Sequence, residues 1–451
     1  MAHIPGFFST LFAIAFPIIL QNFLQTFVNM LDTVMVGRLG SIEIAAVGLG
    51  NQIFFLLNMI LFGISSGGSI FVAQFWGKKD ITGIRRTLGI TLALSFFVSI
   101  IFALASFFFP RELISLYSKD ENVIALGANY LHTVSLSYPL LAISFAFQIA
   151  FRATEHVHLP IASTAISFGV NAFFNYALIF GANIFGFQFP NLGVIGAAIA
   201  TIISRAVELL ITIVVSYALH FEPCGKLQDF FSIPVSFFGK FIRIVLPVIL
   251  NESLWGFGIT MQNAIFSHAG TSAIAAFNIT ATTQQLTWVF FIGVGNAAGV
   301  IIGKKIGEGN ESEARSYVNK FAYFMPLCAV GFAFLLLPIS ASLPLLFKVD
   351  SSIILQAKKM LFVLMFLYPA NAFNMFFIIG MCRAGGDTVY AAFNDIAWMW
   401  FVALPLAALA AFFWHAPPFV IYACLQIEQL FKLAMGLLRV RNGKWLHNVT
   451  H

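Results

Sequence analysis

The sequence predicts an all-α integral membrane protein with twelve transmembrane helices, arranged as two pseudo-symmetric six-helix bundles with a central cavity. Three observations support this fold class: an apolar composition, twelve long apolar segments and an internal repeat. Of the 451 residues, 60% are hydrophobic and 9% are charged. Because a soluble domain carries about 25% charged residues, this composition is typical of a chain that lies in lipid.

The apolar segments are long enough to cross a membrane as helices. A stretch of about 20 apolar residues spans a hydrocarbon core of about 30 Å, and the internal turns, prolines and glycines exclude the alternating pattern of a β-barrel. The first segment lacks a basic start and a small-residue cleavage site, so we expect a retained helix rather than a signal peptide. The twelve predicted spans lie near residues 9–35, 44–73, 88–110, 126–150, 159–181, 192–217, 240–265, 274–302, 319–345, 356–381, 389–414 and 416–437.

An internal repeat relates the two halves of the chain. Each half holds six spans, so both copies enter the membrane in the same orientation, and their symmetry axis runs along the membrane normal. Duplicated halves of this kind are typical of secondary transporters, in which a solute moves by alternating access between two lobes. A shift of 230 residues aligns Pro17 with Pro247, Gly40 with Gly270, Gly63 with Gly293, Gly77 with Gly307, Arg85 with Arg315, Asp120 with Asp350 and Tyr138 with Tyr368.

The repeat and the positions of the charges predict domains and topology. Residues 1–217 form an N-terminal six-helix lobe, residues 218–239 a cytoplasmic linker, and residues 240–451 a C-terminal six-helix lobe with a short basic tail. A short interfacial helix is expected at residues 230–237 of the linker. Seventeen lysines and arginines lie on the side of the linker, against six on the opposite side. The positive-inside rule therefore predicts a multi-pass protein of the cytoplasmic (inner) membrane with both termini in the cytoplasm.

The sequence lacks the motifs that are typical of other classes of protein. The four cysteines Cys224, Cys328, Cys382 and Cys424 are scattered singly, without a disulfide framework or a zinc pattern. The histidines show no HExxH spacing, and the glycine-rich segments match no nucleotide-binding pattern. We therefore predict that the protein is not an enzyme and uses no cofactor. The net charge of +6 reflects topology rather than nucleic-acid binding, and a gated channel with uncoupled flux remains an alternative to a carrier.

Six short motifs follow one another along the chain. They lie at residues 32–37 (DTVMVG), 77–80 (GKKD), 171–176 (NAFFNY), 193–201 (GVIGAAIAT), 383–388 (RAGGDT) and 441–445 (RNGKW). In this order, on a duplicated twelve-span chain, the sequence resembles prokaryotic members of the multidrug and toxic compound extrusion (MATE) family of antiporters over essentially its whole length. The resemblance implies an efflux cavity between two six-helix bundles, and export of amphipathic, often cationic drugs or metabolites driven by inward Na⁺ or H⁺.

The resemblance also implies a cation site in the first lobe at Asp32, Asn171, Asn175 and Thr201. The two asparagines are four residues apart on span 5, so both amides project from one side of the helix. Together with the carboxylate and the hydroxyl they provide an all-oxygen set suited to a hard monovalent cation such as Na⁺. The alternative is that the asparagines join neighbouring helices by hydrogen bonds.

Asp32 lies near the outer end of span 1, on the same face as Asn29 and Gln25. A carboxylate at bilayer depth costs about 2.5 kcal/mol or more, so it needs a partner, a proton or a water-filled cavity. The polar face of the helix favours a cavity next to Asp32. The alternative is that Asp32 lies at the membrane interface, where water surrounds its carboxylate. If Asp32 has no permanent positive partner, burial favours its neutral form, so that one site could serve either H⁺ or Na⁺.

The second lobe offers a different set of polar residues. Many members of the resembled family pair an acidic residue on span 7 with another on span 10. Glu252 matches the first, but span 10 offers only Asn371 and Asn374, so the two-carboxylate pattern is incomplete. Glu252 is expected either to face the cavity, where it attracts cationic substrate or binds a proton, or to be protonated and bonded to a neighbour. Asp395 on span 11 is expected to line the cavity or lie at the interface.

Two prolines occupy equivalent places in the first helix of each lobe. Pro17 and Pro247 each remove one backbone hydrogen bond and clash with the preceding turn, which predicts a bend in both helices. The alternative is that they do nothing, because proline is common in membrane helices.

Four further charges are expected to be structural. Arg205 and Glu208 are three residues apart and predict an ion pair within span 6, and Glu428 with Lys432 is a favoured pair at a spacing of four. We expect Lys432 to extend to the membrane interface.

Small amphipathic molecules and the lipid bilayer are the expected partners, with no nucleic acid. A single chain can form the whole pathway, so a monomer is expected. A flippase of lipid-linked saccharides from the same superfamily is the alternative function. Such proteins often have a cavity rich in arginine and lysine that binds pyrophosphate, whereas this chain has one clear intramembrane arginine, Arg205.

Overall fold

Long α-helices form most of the chain. The computed structural model describes residues 6–184, 186–346 and 349–450. Twelve helical stretches in this described part are long and apolar enough to cross a membrane, which confirms the predicted all-α fold with twelve spans. The helices of the first half are α1 (Phe7–Gly37), α2 (Ser41–Lys78), α3 (Ile81–Phe108), α4 (Pro110–Ser115), α5 (Glu121–Val134), α6 (Tyr138–Ala153), α7 (His158–Phe180) and α8 (Gly193–Ala218).

The second half repeats this pattern with two local departures from α-helical geometry. Its helices are α9 (Leu227–Phe231), α10 (Val235–His268), α11 (Thr271–Gly307), α12 (Glu311–Leu346), α13 (Ser351–Met375), α14 (Thr388–Trp398), α15 (Leu404–Phe412), α16 (Pro418–Gln426) and α17 (Glu428–Asn442). π-Helical turns at Phe376–Cys382 and Met399–Ala403 continue α13 and join α14 to α15. A π turn inserts a residue into the helix and so changes the direction in which the following side chains point.

The fourth predicted span, near residues 126–150, consists of two helices rather than one. A 3₁₀ turn at Ser135–Ser137 separates α5 from α6, immediately before Pro139 at the start of α6. Proline has no N–H to donate and is favoured in the first turn of a helix. The hydroxyls of Ser135 and Ser137 donate to the carbonyls of His132 and Val134, each at 2.7 Å. The equivalent Pro369 lies inside the continuous α13, so the two repeats differ at this point.

Two small elements differ from the sequence prediction. The strands Asn183–Ile184 and Phe187–Gln188 (β1 and β2) pair in an antiparallel hairpin that the apolar pattern did not reveal, because each contains only two residues. The helix expected at residues 230–237 is instead α9, at Leu227–Phe231. The chain leaves this helix before Pro234, consistent with the preference of residues preceding proline for extended geometry.

The chain divides into two compact units. The first unit comprises Phe16–Val72 and Lys79–Ile242, and the second comprises the described residues up to Ala15, Ala73–Lys78, and the chain from Arg243 onward. The segment after α8 belongs to the first unit, where Arg85 on α3 forms an ion pair with Asp229 at 3.2 Å. The predicted lobes at residues 1–217 and 240–451, with a linker between them, remain a proposal.

The core of each unit consists of apolar side chains at helix contacts. In the first unit, Leu57 and Leu61 of α2 pack in one buried cluster with Leu131 of α5 and Tyr138 of α6. In the second unit, Phe373 and Phe377 are fully buried near Gly436 of α17. These contacts hold the helices of each unit around the polar residues described below.

Gly77 and Gly307 make two equivalent close contacts within the second unit. A Cβ atom on Gly77 would overlap the carbonyl oxygen of Lys304, and one on Gly307 would overlap the carbonyl oxygen of Gln74. The 230-residue shift relates position 74 to position 304 and Gly77 to Gly307, so the two contacts are equivalent in the two repeats. The repeated glycines therefore allow two helix backbones to touch where a side chain has no room.

We expect Gly77→Ala to lower the free energy of unfolding by about 1–3 kcal/mol, because a methyl group must displace a backbone oxygen. Thermal unfolding of the purified protein in detergent measures this change. Gly331→Ala is the matched control, since it lies in α12 with no atom within 4 Å of an added Cβ. Equal melting temperatures for the two variants would show that the close contact does not constrain the packing.

Candidate functional site

A polar cavity lies within the first unit. It has a volume of about 300 Å³ and is lined by residues from α1, α2, α5, α7 and α8, with a 3₁₀ residue before α6. Its polar lining includes Asp32, Asn51, Asn171, Thr201, Arg205 and Glu208. A cavity with this many polar groups in a membrane-spanning unit is a candidate binding site.

Asp32 and Asn171 line this cavity, and Asn175 of α7 contacts both of them. The side-chain amide of Asn175 donates hydrogen bonds to Oδ1 of Asp32 and, at 3.0 Å, to Oδ1 of Asn171. Asn171 and Asn175 are buried, at 1% and 0% exposure. The structure therefore brings together three of the residues that the resemblance assigned to a cation site.

Thr201 contributes its hydroxyl from the facing helix α8. It lines the same cavity, and Oγ1 donates to the carbonyl of Ala197 at 3.0 Å. This bond uses the proton of the hydroxyl and leaves the lone pairs of its oxygen for another donor or a cation. All four predicted cation-site residues thus lie in one unit, on α1, α7 and α8.

The amide groups of this site are incompletely paired. Oδ1 of Asn175 and Nδ2 of Asn171 are buried and have no hydrogen-bond partner among the described residues. Buried polar atoms almost always have partners, so the unpaired amide oxygen of Asn175, the residue that donates to Asp32, is available to a ligand. A cation that binds to carboxylate, amide and hydroxyl oxygens fits this arrangement.

The donor set favours a hard monovalent ion or a proton rather than a transition metal. In the described part of the chain, no group of three or more histidine, cysteine, aspartate or glutamate residues could hold a metal ion. Oxygen ligands with a single carboxylate suit weakly charged, hard cations. Two carboxylates, Asp32 and Glu208, and one guanidinium, Arg205, line the cavity, so its charged lining favours a positive occupant.

Gln25 also lines this cavity, as predicted from its position on the same face of α1 as Asp32. The side chain of Asn29 lies outside the described residues.

Pro17 lies inside the continuous helix α1 and Pro247 inside α10, so neither proline ends its helix. The bend predicted at each of them remains a prediction.

A second polar network adjoins the cavity. The Arg205–Glu208 ion pair expected from the sequence is present at 2.7 Å. Oε1 of Glu208 accepts hydrogen bonds from Gln148 at 3.0 Å and from Thr164 at 3.1 Å. Glu208 is 1% exposed, and these donors satisfy both of its oxygens, as a buried carboxylate requires.

Gln21 connects this network to a buried arginine. Its amide nitrogen donates to Gln148 at 2.8 Å and to Thr164 at 3.1 Å, and its oxygen accepts from Nε and one terminal nitrogen of Arg152 at 3.0 and 2.6 Å. These residues were not predicted from the sequence to belong to the site. Helix periodicity did not reveal them because the contacts join α1, α6 and α7.

The internal repeat could have revealed this arginine contact, because both halves contain it at the same spacing. Arg152 and Gln21 are 131 residues apart, and Arg383 and Glu252 are also 131 residues apart and form a buried ion pair in the second unit. In each repeat an arginine that follows the fourth span contacts the first helix. The partner is an amide in the first repeat and a carboxylate in the second.

Glu252 has a charged partner that the sequence did not predict, since its carboxylate pairs with Arg383. Its expected role toward a cationic substrate or a proton remains a prediction. Both residues are buried, at 9% and 4% exposure. A buried ion pair of this kind is sensitive to the loss of either partner, because the remaining charge is left without compensation.

Asp395 and Lys432 form a second charged contact in this unit. Nζ of Lys432 lies 2.8 Å from Asp395 and 3.1 Å from Glu428, and Asn251 donates to the other oxygen of Asp395 at 2.8 Å. The expectation that Lys432 extends to the interface is wrong, since the residue is 3% exposed. Two carboxylates hold its ammonium group inside the unit. Asp395 is likewise buried, at 7% exposure.

Asn371 and Asn374 of α13 contact the last two helices. The amide of Asn371 donates to Gln426 at 3.3 Å, and the amide of Asn374 donates to the backbone and side-chain oxygens of Gln429, both at 2.9 Å. These bonds join α13 to α16 and to α17. They match the role of asparagines that connect membrane helices.

Twelve membrane spans, an internal duplication and a polar cavity define a multi-pass membrane transporter. The chain belongs to the MatE family, whose pattern it matches over residues 17–177 and 247–409. The two matched segments correspond to the two repeats, so the resemblance found in the sequence is confirmed. Members of this family are transporters named as multidrug resistance proteins, and the chain is accordingly a small-molecule efflux transporter rather than an enzyme.

Known proteins similar to this chain carry the same description. The probable multidrug resistance protein YoeA of Bacillus subtilis is 25% identical over 397 residues, which cover 87% of this chain and 84% of that protein. The probable multidrug resistance protein NorM of Thermotoga maritima is 24% identical, covering 98% of this chain and 94% of that protein.

Solved structures share the fold. The MATE transporter VcmN of Vibrio cholerae superimposes with a TM-score of 0.86 at 17% identity and covers 96% of both chains. A eukaryotic MATE transporter superimposes with a TM-score of 0.84, also at 17% identity, over 98% of this chain and 96% of its own. At this level of identity the likeness establishes the architecture.

Proposed function

We propose that this chain is a cation-coupled antiporter that exports amphipathic, often cationic drugs or metabolites by alternating access between its two repeats. The observation that carries the proposal is that Asp32, Asn171 and Thr201 line one cavity, while Asn175 donates hydrogen bonds to both Asp32 and Asn171. A carboxylate at this depth needs a compensating charge. Inward movement of Na⁺ or H⁺ to Asp32 supplies that charge and the driving force for export.

Both candidate ions fit the same oxygen atoms. A proton neutralises Asp32 directly, whereas Na⁺ requires several oxygens at once and takes them from the amides and the hydroxyl. The unpaired Oδ1 of Asn175 supports the second possibility as an additional ligand. The coupling ion is therefore proposed as Na⁺ or H⁺, with a common site at Asp32.

The lining of the cavity supports amphipathic, cationic substrates. Phe54, Phe55 and Tyr130 provide aromatic surface beside the two carboxylates. Aromatic rings bind the apolar part of a ligand and attract a positive group, and a volume of about 300 Å³ accepts a small organic molecule. An exporter that releases such a cation when Na⁺ or H⁺ arrives needs both features.

A flippase of lipid-linked saccharides is less well supported. A pyrophosphate carries several negative charges and calls for a group of arginines and lysines. Among the lining residues that the structure describes, the basic one is Arg205, and its guanidinium already pairs with Glu208. The charge of the cavity therefore favours a cationic substrate over a polyanionic one.

The proposal also includes the membrane in which the protein lies and the side on which its termini lie. We place the protein as a monomer in the cytoplasmic (inner) membrane, consistent with its bacterial relatives. Both termini are placed in the cytoplasm, because seventeen of the lysines and arginines lie on that side and six on the other.

Dye efflux from proteoliposomes tests the proposal. We expect a fluorescent lipophilic cation to cross the membrane against its gradient when an opposing Na⁺ or pH gradient is imposed, and to equilibrate when neither is present. Separate gradients of the two ions identify the coupling ion, since one of them should accelerate transport at least about tenfold, equivalent to 1.4 kcal/mol of coupling. Flux that neither gradient changes and that does not saturate with dye would indicate a channel instead.

A further inference from the structure

The second unit contains a buried cluster of five charged residues that the proposed function does not use. We call this the Lys432 cluster: Glu252, Arg383, Asp395, Glu428 and Lys432. Lys432 lies 2.8 Å from Asp395 and 3.1 Å from Glu428, and Arg383 pairs with Glu252. Each member is at most 9% exposed. Asn251, next to Glu252 in α10, connects the two pairs by donating to Asp395 at 2.8 Å.

The charges of this cluster do not balance. It holds three carboxylates but only two cationic groups, Arg383 and Lys432. Fully ionised, it carries one net negative charge inside a helical bundle that spans the membrane. An uncompensated buried charge at that depth is unfavourable, so the group takes up a proton or a cation.

The hydrogen bonds identify the carboxylate that is least compensated. Oδ1 of Asp395 accepts from Lys432 and Oδ2 accepts from Asn251, so both of its oxygens have donors. Glu252 has the whole charge of Arg383 opposite it. Lys432 must serve both remaining acids, and it already donates to Asp395.

Glu428 is the acid with a free oxygen. Its Oε1 lies 3.1 Å from Lys432 and accepts from Gln429 at 3.1 Å, whereas Oε2 is buried with no partner among the described residues. Two neighbouring amide oxygens in the same hydrogen-bonded chain, Oδ1 of Asn251 and Oδ1 of Asn374, are likewise buried without a described partner. An ionised carboxylate with one unpaired oxygen and a shared cation is the least compensated of the three, so it is the one that a proton most readily neutralises.

We infer that Glu428 carries an exchangeable proton on Oε2, so that the second repeat holds a proton-binding site separate from Asp32. The groups around it come from three elements besides its own helix α17. These are Asn374 of α13, Asp395 of α14 and, through Asp395, Asn251 of α10. Asp395 disfavours ionisation of Glu428, and Lys432 favours it while being shared between the two acids.

Loss of this proton has a defined structural consequence. Ionised Glu428 competes with Asp395 for Lys432, and Asp395 is the residue that ties α14 to α10 through Asn251. Protonation of Glu428 therefore leaves Lys432 of α17 to Asp395 of α14. It thereby favours the arrangement in which Asp395 also accepts from Asn251 of α10. The use of this proton in transport rests on the proposed function, whereas the protonation itself does not.

Infrared difference spectroscopy of the purified protein in lipid tests the inference. All variants carry Asp32→Asn, which removes the other candidate proton site. At neutral pH we expect this protein to show a carboxylic-acid C=O band that disappears at alkaline pH. Adding Glu428→Gln should remove the band, because glutamine keeps the shape of a protonated glutamate but has no acid group. Glu112→Gln, an exposed residue of α4, is the matched control and should leave the band unchanged.

Two results would overturn the inference: a band that persists in Glu428→Gln, or no such band in the Asp32→Asn protein. If Glu428→Gln does not fold, Glu428→Asp replaces it and must shift the frequency of the band. The spectrum does not depend on transport. Efflux measured on the same Asp32→Asn protein thus tests the proposed function separately.

Discussion

Asp32→Asn is expected to reduce cation-driven efflux at least about 100-fold, equivalent to about 2.7 kcal/mol. The substitution removes the carboxylate that accepts a hydrogen bond from Asn175 and lies at one cavity with Asn171 and Thr201. A neutral amide of the same shape neither binds a proton nor supplies the negative charge that compensates Na⁺. Initial rates of dye efflux from proteoliposomes under the active ion gradient measure the effect.

The matched control makes the same chemical change at an exposed position. Asp350→Asn lies just before α13 and is exposed, and its side chain makes no capping hydrogen bond. We expect it to transport like the wild type. Retention of wild-type efflux and cation-dependent dye binding by Asp32→Asn would remove Asp32 from the coupling site.

Arg383→Met is expected to lower the free energy of unfolding by about 3–5 kcal/mol, because it leaves the Glu252 carboxylate buried without its cation. The pair is almost completely inaccessible, with side chains 5% and 11% exposed. A double variant, Glu252→Gln with Arg383→Met, removes both charges and should recover most of this loss. Thermal unfolding of the purified variants in detergent measures both values.

An exposed pair of the same residue types provides the comparison. Arg111 and Glu121 form an ion pair with side chains 61% and 67% exposed, and exposed pairs contribute about 0–1 kcal/mol. Arg111→Met should therefore change the melting temperature much less than Arg383→Met. If the double variant is no more stable than Arg383→Met alone, the loss comes from packing of the arginine side chain rather than from the unpaired carboxylate.

Part of the candidate site was predictable because it depends on helix periodicity. The spacing of four residues between Asn171 and Asn175 places both amides on one side of α7, and Gln25 shares a face of α1 with Asp32. The structure places Gln25, Asp32 and Asn171 at one cavity and bonds Asn175 to Asp32 and Asn171. The local pattern also predicted the Arg205–Glu208 pair, which lies within one turn of α8.

Contacts between distant helices were not predictable in this way. Gln21 meets Arg152 across 131 residues and Lys432 meets Asp395 across 37. Lys432 was expected at the interface because a long side chain can extend to water, but the two carboxylates inside the unit bind its ammonium more closely. The preference for the interior depends on which acids the fold places nearby, and a helical pattern does not contain that information.

The sequence by itself determined the membrane location, the twelve helices, the duplication and the family, because composition, apolar length and the 230-residue repeat are properties of the chain. Tertiary structure decided which charges on different helices compensate one another. Glu252 has a full positive partner, Asp32 has amides, and Glu428 shares Lys432 with Asp395. The physical reason is that the ionisation and binding of a buried group depend on the dipoles and charges within a few ångströms of it, and packing between helices places those groups there.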